Sequence, residues 1–194
     1  MTLPQVRGGA SAPWLVAIDM QHVFGASKSP WASPTFETAA AGVERLVPAF
    51  GDRTVFTRYV APSTPQGAWK PYFQVWPFAL VPADDPLYEL DPRFRNAPRV
   101  ETRETFGKWD DALHAAVDRT DEIVLAGVST DCCVLSTALA AADAGIHVRL
   151  VVDACAAPTI TDHERAVLTM GMYAPLIELT TVDGVLAGSD DPAA

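Results

Sequence analysis

The sequence predicts an α/β chain built as a doubly wound, six-stranded parallel sheet with helices on both faces. Three observations carry this expectation. Apolar runs of strand length alternate with longer segments of helical period. The runs WLVAID (14–19) and EIVLAGV (122–128) are apolar almost throughout, as strands covered on both faces are. The length of 194 residues suits one compact domain that needs no disulfide or metal to hold its core.

In chain order, WLVAID (14–19) reads as the first strand. Ser33 before Pro34 marks a helix start, after which Phe36, Val43, Leu46, Val47 and Phe50 share one face. TVFTRY (54–59) is the second strand. Residues 60–98 then break the rhythm with eight prolines and seven aromatics. A stretch that long between strands either packs as a satellite over the core or serves as a lid or interface arm. A short strand near 99–103 and a helix from about Trp109 to Val117 follow. After EIVLAGV, Thr130 or Asp131 can cap a helix whose apolar face is Val134, Leu135, Ala138, Leu139 and Ala142, and Gly145 ends it. HVRLVVDA (147–154) is the next strand. Thr161 with Glu164 forms a capping box for a helix through Met170, and PLIEL (175–179) is the last strand. The expected layout is one Rossmann-like domain over 13–187, with tails at 1–12 and 188–194.

A net charge of −10 argues against a nucleic-acid partner. No apolar run reaches the roughly 18 residues of a membrane span, and the first residues lack the basic and apolar regions of a secretory signal. Cys132, Cys133 and Cys155 are too sparse for a disulfide framework. The expectation is a cytoplasmic protein with reduced thiols, acting on a small molecule.

Functional groups of doubly wound sheets gather beyond the carboxyl ends of the strands, and three candidates fall there. Asp19 follows four apolar residues of the first strand; it either caps a turn or is paired and used. Cys133, in GVSTDCCV, lies in the first turn after the fourth strand, where helix-end N–H groups lower a thiol pKa; the alternative is a buried structural cysteine. Cys132 and Cys155 read as packing residues. Lys108, in TFGKW, is one of only three lysines, and is either a solvated charge or a cation reaching the same crevice.

Together VAIDMQ (16–21), TFGKW, LAGVSTDCCVLSTALAAADAG (125–145) and VVDACAAPT (151–159) resemble the isochorismatase-like cysteine hydrolases, over about residues 14 to 180. The resemblance implies an Asp–Lys–Cys triad, with Asp19 as proton shuttle and Cys133 as nucleophile. It also implies a cis Val128–Ser129 peptide and an oxyanion hole from the amides of Ser129 and Cys133. Gln21, Phe24, Trp69 and Trp109 are the expected substrate contacts, in a partly apolar pocket that the insert aromatics Tyr72, Phe73 and Trp76 help to form. Family members are commonly dimers or tetramers, so a homo-oligomer is expected.

Three departures from the family pattern matter. Counting back from Phe106, the family's lysine position is Arg103, so the cation is Lys108 or Arg103; Lys108 is preferred because an amine is tunable and a guanidinium is not. The stretch TRYVAPSTPQGAW lacks the histidine of the metal-binding nicotinamidase branch, and the four histidines sit at non-ligand spacing, so no metal or other cofactor is expected. DMQHVF replaces the usual DMQNDF, which leaves His22 either a substrate contact or solvent-facing. The resemblance is to the metal-independent branch, of N-carbamoylsarcosine amidohydrolase and streptothricin hydrolase type. It implies hydrolysis of an amide, ureido or lactam C–N bond through a thioester. Vinyl ether hydrolysis and a non-catalytic binding role are the alternatives.

Overall fold

A computed structural model describes residues 12–189. Its strands are β1 (Trp14–Ile18), β2 (Thr54–Tyr59), β3 (Val100–Arg103), β4 (Glu122–Val128), β5 (His147–Ala156) and β6 (Ile177–Thr180). The helices are α1 (His22–Gly25), α2 (Phe36–Phe50), α3 (Trp69–Val75), α4 (Asp111–Ala116), α5 (Leu135–Asp143), α6 (Ile160–Gly171) and α7 (Val182–Ser189). All neighbouring strands pair in parallel, in the order β3-β2-β1-β4-β5-β6. This is the doubly wound order, and its switch point lies between β1 and β4.

The apolar alternation of β1 divides the core. Leu15 and Ala17 join the cluster under α2, α7 and the 60–98 insert, while Trp14, Val16 and Ile18 join the cluster under α4, α5 and α6. β4 divides the same way, Val124 and Ala126 to one face and Ile123 and Leu125 to the other. No described helix is long and apolar enough to cross a membrane.

Several local expectations change. Ser33 does not cap α2; its hydroxyl donates to the Ala157 carbonyl at 2.7 Å, and the helix begins at Phe36. The cap of α6 is Thr159, which takes the Asp162 amide at 3.0 Å, two residues before the expected Thr161–Glu164 box. Neither Thr130 nor Asp131 caps the helix after β4: both lie inside a π-helical turn over Thr130–Val134 that leads into α5. The C-terminal stretch is helical, because Val182 and Val185 are buried against the sheet and α2. The expected tails otherwise fall at 1–11 and 190–194, outside the described residues. The insert packs Phe73, Ala79, Tyr88 and Phe94 into the core.

Gly127 fixes how closely β4 approaches β1. Its φ is +117°, and an added Cβ would fall 2.2 Å from the Ile18 carbonyl oxygen. Neither strain nor clash can be relieved by moving a flexible side chain. Gly127→Ala is therefore expected to destabilise the fold by about 4 kcal/mol or more, read as a collapse of the urea midpoint or loss of soluble protein. A midpoint near that of the parent would show that β4 can withdraw from β1.

Candidate active site

Asp19 stands immediately beyond β1 with φ +49°, a conformation that aspartate tolerates better than most residues. Thr57, on β2, holds it from both sides. The Thr57 hydroxyl donates to Asp19 Oδ1 at 2.6 Å and its oxygen accepts the Asp19 amide at 3.1 Å. The other carboxylate oxygen, Oδ2, lies 2.9 Å from Lys108 Nζ, and both side chains are fully buried. Lys108 reaches that position from the loop after β3, donates to the Thr105 carbonyl at 2.6 Å, and places its ammonium 5.1 Å from the centre of the Tyr59 ring. Arg103 points elsewhere: its guanidinium forks onto Asp110 at 2.7 and 2.9 Å and reaches Glu101 at 3.1 Å.

Cys133 enters from the π-helical turn after β4, and the Val128–Ser129 peptide before it is cis. Its thiol is buried beside the Asp19 carboxylate, the Lys108 ammonium and the Ser129 amide, each of which acts on its ionisation. Thr137 joins cysteine and lysine through the main chain, donating to the Cys133 carbonyl at 2.6 Å and accepting the Lys108 amide at 3.0 Å. Asp19, Lys108 and Cys133 thus meet from three segments at the switch point of the sheet.

The thiol departs from the expectation of a depressed pKa. Burial pushes Cys133 well above the ordinary thiol range and the Asp19 carboxylate adds to the rise; Lys108 and the Ser129 amide pull the other way without overcoming it. One backbone amide and one ammonium do not offset complete desolvation beside a carboxylate. The resting residue is a protonated thiol.

A cavity of about 380 Å³ opens onto this cysteine. Six aromatic rings line it: Phe24, Trp31, Tyr59, Tyr72, Trp76 and Phe106. Ser129, Asp131, Cys132 and Cys133 form its polar side. Cys132, expected to pack away, lines the cavity; its thiol donates to Asp131 at 3.6 Å, and burial together with that carboxylate pushes its pKa up to about 12. Of the expected substrate contacts, Phe24 is in the wall. Gln21 is not, because its side-chain amide is taken up by the backbone of Tyr59 and Tyr88 at 2.8–2.9 Å. Trp69 packs behind the wall against Tyr72 and Phe106, and Trp109 lies against His114. His22 meets the Pro86 carbonyl at 3.1 Å instead of the cavity. Among the described residues no three His, Cys, Asp or Glu side chains gather as a metal-binding set.

Thr57, Thr137, Tyr59 and Trp31 escape sequence reasoning. Tyr59 has a positional signal, since it ends a strand at the carboxyl edge of the sheet; Trp31 has none.

Against this geometry, residues 13–181 match the family model for the isochorismatase domain. Solved structures share the fold. An isochorismatase-like hydrolase from Alkaliphilus metalliredigens is 20% identical, with a TM-score of 0.76 over 92% of this chain and 99% of that one. A cysteine hydrolase from Pseudomonas syringae pv. phaseolicola is 18% identical, with a TM-score of 0.80 over 98% and 99%. The N-carbamoylsarcosine amidase of Thermoplasma acidophilum is 18% identical, with a TM-score of 0.69 over 95% and 100%. No curated protein sequence matches the chain at a significant level.

Replacing Asp19 by Asn removes a negative neighbour that raises the Cys133 pKa and leaves Lys108 in place, so the pKa falls. Each unit of fall gives about tenfold more thiolate near neutral pH. Alkylation of Cys133 by iodoacetamide, followed by peptide mass spectrometry, is expected to be slow in the parent at pH 7 and about tenfold or more faster in Asp19→Asn. Lys108→Met is expected to slow it further. A slower reaction in Asp19→Asn would mean that the carboxylate does not hold the proton on sulfur.

Proposed function

The chain belongs to the isochorismatase family of hydrolases, and we propose that it hydrolyses a C–N bond of a small amide, ureido or lactam compound by covalent catalysis at Cys133. The observation that carries this reading is the buried thiol–carboxylate–ammonium cluster at the floor of a substrate-sized cavity. Asp19 acts as base: the thiol proton passes to its carboxylate as sulfur attacks the carbonyl carbon. The amides of Ser129 and Cys133 receive the oxyanion, the interaction that usually contributes most in acyl transfer. Asp19 then returns the proton to the departing nitrogen, which leaves as an amine or ammonia and gives a thioester. Water, deprotonated by Asp19, cleaves the thioester and restores the thiol. Lys108, 2.9 Å from the Asp19 carboxylate, steadies the transient thiolate.

The N-carbamoylsarcosine amidase among the structural neighbours supports the choice of a C–N bond.

Cys133→Ala is expected to lower turnover of any amide found by screening by about 10⁴-fold or more. Rapid acid quench and whole-protein mass spectrometry are expected to show an acyl adduct on the parent and none on the variant. Hydrolysis that persists in Cys133→Ala would overturn the thioester route and favour cleavage of an ether by acid–base chemistry alone.

A further inference from the structure

We infer that the substrate carries a cationic group, such as a quaternary or tertiary ammonium, and that the aromatic cavity with Asp131 is the subsite that holds it. This rests on the hydrolase reading only for the claim that the bound cation is a substrate; the binding site itself does not.

The cavity has three features that select a ligand. The first is its rings. Trp31 touches four of the others, 6.1 Å from Phe24, 5.9 Å from Tyr59, 6.1 Å from Tyr72 and 6.1 Å from Trp76. Several of these rings meet edge to face, which leaves them at different inclinations around one space. The negative face of an aromatic ring attracts a cation, tryptophan most strongly, and rings arranged around a space hold alkylated ammonium groups.

The second feature is charge. Asp131 is the charged side chain of the wall, and among the described residues no Lys or Arg lines the cavity. Lys108 lies beneath the floor and is paired with Asp19 at 2.9 Å, so it offers no net charge to a ligand. Asp131 accepts from the Ser129 hydroxyl and from the Cys132 thiol. Both partners are neutral, so neither is a counter-ion. Asp162 adds negative field nearby, and together with Asp131 it raises the Cys132 pKa. A carboxylate substrate would meet repulsion and no cation. A neutral apolar one would leave Asp131 facing hydrocarbon. A cation satisfies both the rings and the carboxylate.

The third feature is an unused polar group. Tyr59 lines the cavity, is 1% exposed, and its hydroxyl has no hydrogen-bond partner among the described residues. A buried polar group left unpaired carries a desolvation penalty, so a ligand that supplies an acceptor or donor there is favoured. Burial and the neighbouring Tyr88, Tyr72, Cys133 and Asp19 keep the phenol protonated. The fitting ligand therefore has a compact cationic end for the rings and a polar linker passing Tyr59 toward Cys133.

Three soluble ligands of one shape separate the possibilities: choline, its neutral isostere 3,3-dimethylbutan-1-ol, and the anion 3,3-dimethylbutanoate. Isothermal titration calorimetry on the full chain is expected to show choline binding at least tenfold more tightly than the alcohol, with no binding of the carboxylate. Asp131→Asn, which keeps an acceptor for Ser129, is expected to erase most of that preference; Trp31→Leu is expected to weaken choline tenfold, and Trp31→Phe less. Equal binding of choline and the alcohol, or tighter binding of the carboxylate, overturns the proposal, and that comparison needs no variant to fold. Hydrolysis of betaine amide and of isosteric 3,3-dimethylbutanamide is followed in parallel. A choline preference without turnover of either amide upholds the cation site and counts against the hydrolase reading. Turnover of both amides with equal KM overturns the cation site and leaves the hydrolase reading standing.

Discussion

Asp19 and Lys108 meet at 2.9 Å with neither side chain reaching water, and the chemistry of the site follows from how that pair is held. Burying either charge alone costs several kcal/mol, and a buried pair recovers this only where its geometry is good and its remaining valences are filled. Thr57 occupies Oδ1 of the carboxylate, the Thr105 carbonyl takes an ammonium proton, and the Tyr59 ring lies beside the ammonium, while Oδ2 has the ion pair alone. The outcome is a carboxylate held against an ammonium, both away from water. Burial and that same carboxylate also hold the proton on the Cys133 sulfur.

Bringing the three groups together depends on the sheet. β1 delivers Asp19, β4 delivers Cys133, and these strands are adjacent only because the order reverses between them. Their registry is tight enough that position 127 admits no side chain. Lys108 comes from beyond the edge strand and has no sheet pairing to place it. Thr137 supplies the missing constraint, with one hydroxyl bonded to the main chains of both Lys108 and Cys133. A hydroxyl at that position on α5 is therefore part of how the lysine is aimed.

Much of this was legible in the sequence, and what was not has a common cause. β2 and β4 match the segments TVFTRY and EIVLAGV residue for residue, the first because it is rich in β-branched and aromatic residues and the second because a strand buried on both faces leaves a nearly uninterrupted apolar signal. Asp19 and Cys133 were legible because each follows such a strand. Helix starts were less so, since Ser33, Thr161 and Asp131 all have capping chemistry and the tertiary fold decided which hydroxyl or carboxylate was used elsewhere. Lys108 could not be separated from Arg103 by spacing; the acids Asp110 and Glu101 that occupy Arg103 decide it in three dimensions. Gln21 failed as a substrate contact because a polar residue after a strand satisfies backbone as readily as ligand. Trp31 was invisible because its neighbours in the cavity come from segments remote in the chain.

The adjacent thiols show how little separates a nucleophile from a wall. Consecutive residues in a helical turn project to different sides, so Cys133 lies beside Asp19 while Cys132 faces Asp131. Both thiols are protonated beside a carboxylate, and burial raises both. The difference lies in what would receive a thiolate. Cys133 has the Lys108 ammonium and the Ser129 amide within reach, so once its proton moves to Asp19 the new charge has two partners. Around Cys132 burial, Asp131 and Asp162 all act against the anion. Because the thiolate is the form of a cysteine most open to reaction and oxidation, the surroundings disfavour it less at Cys133 than at Cys132.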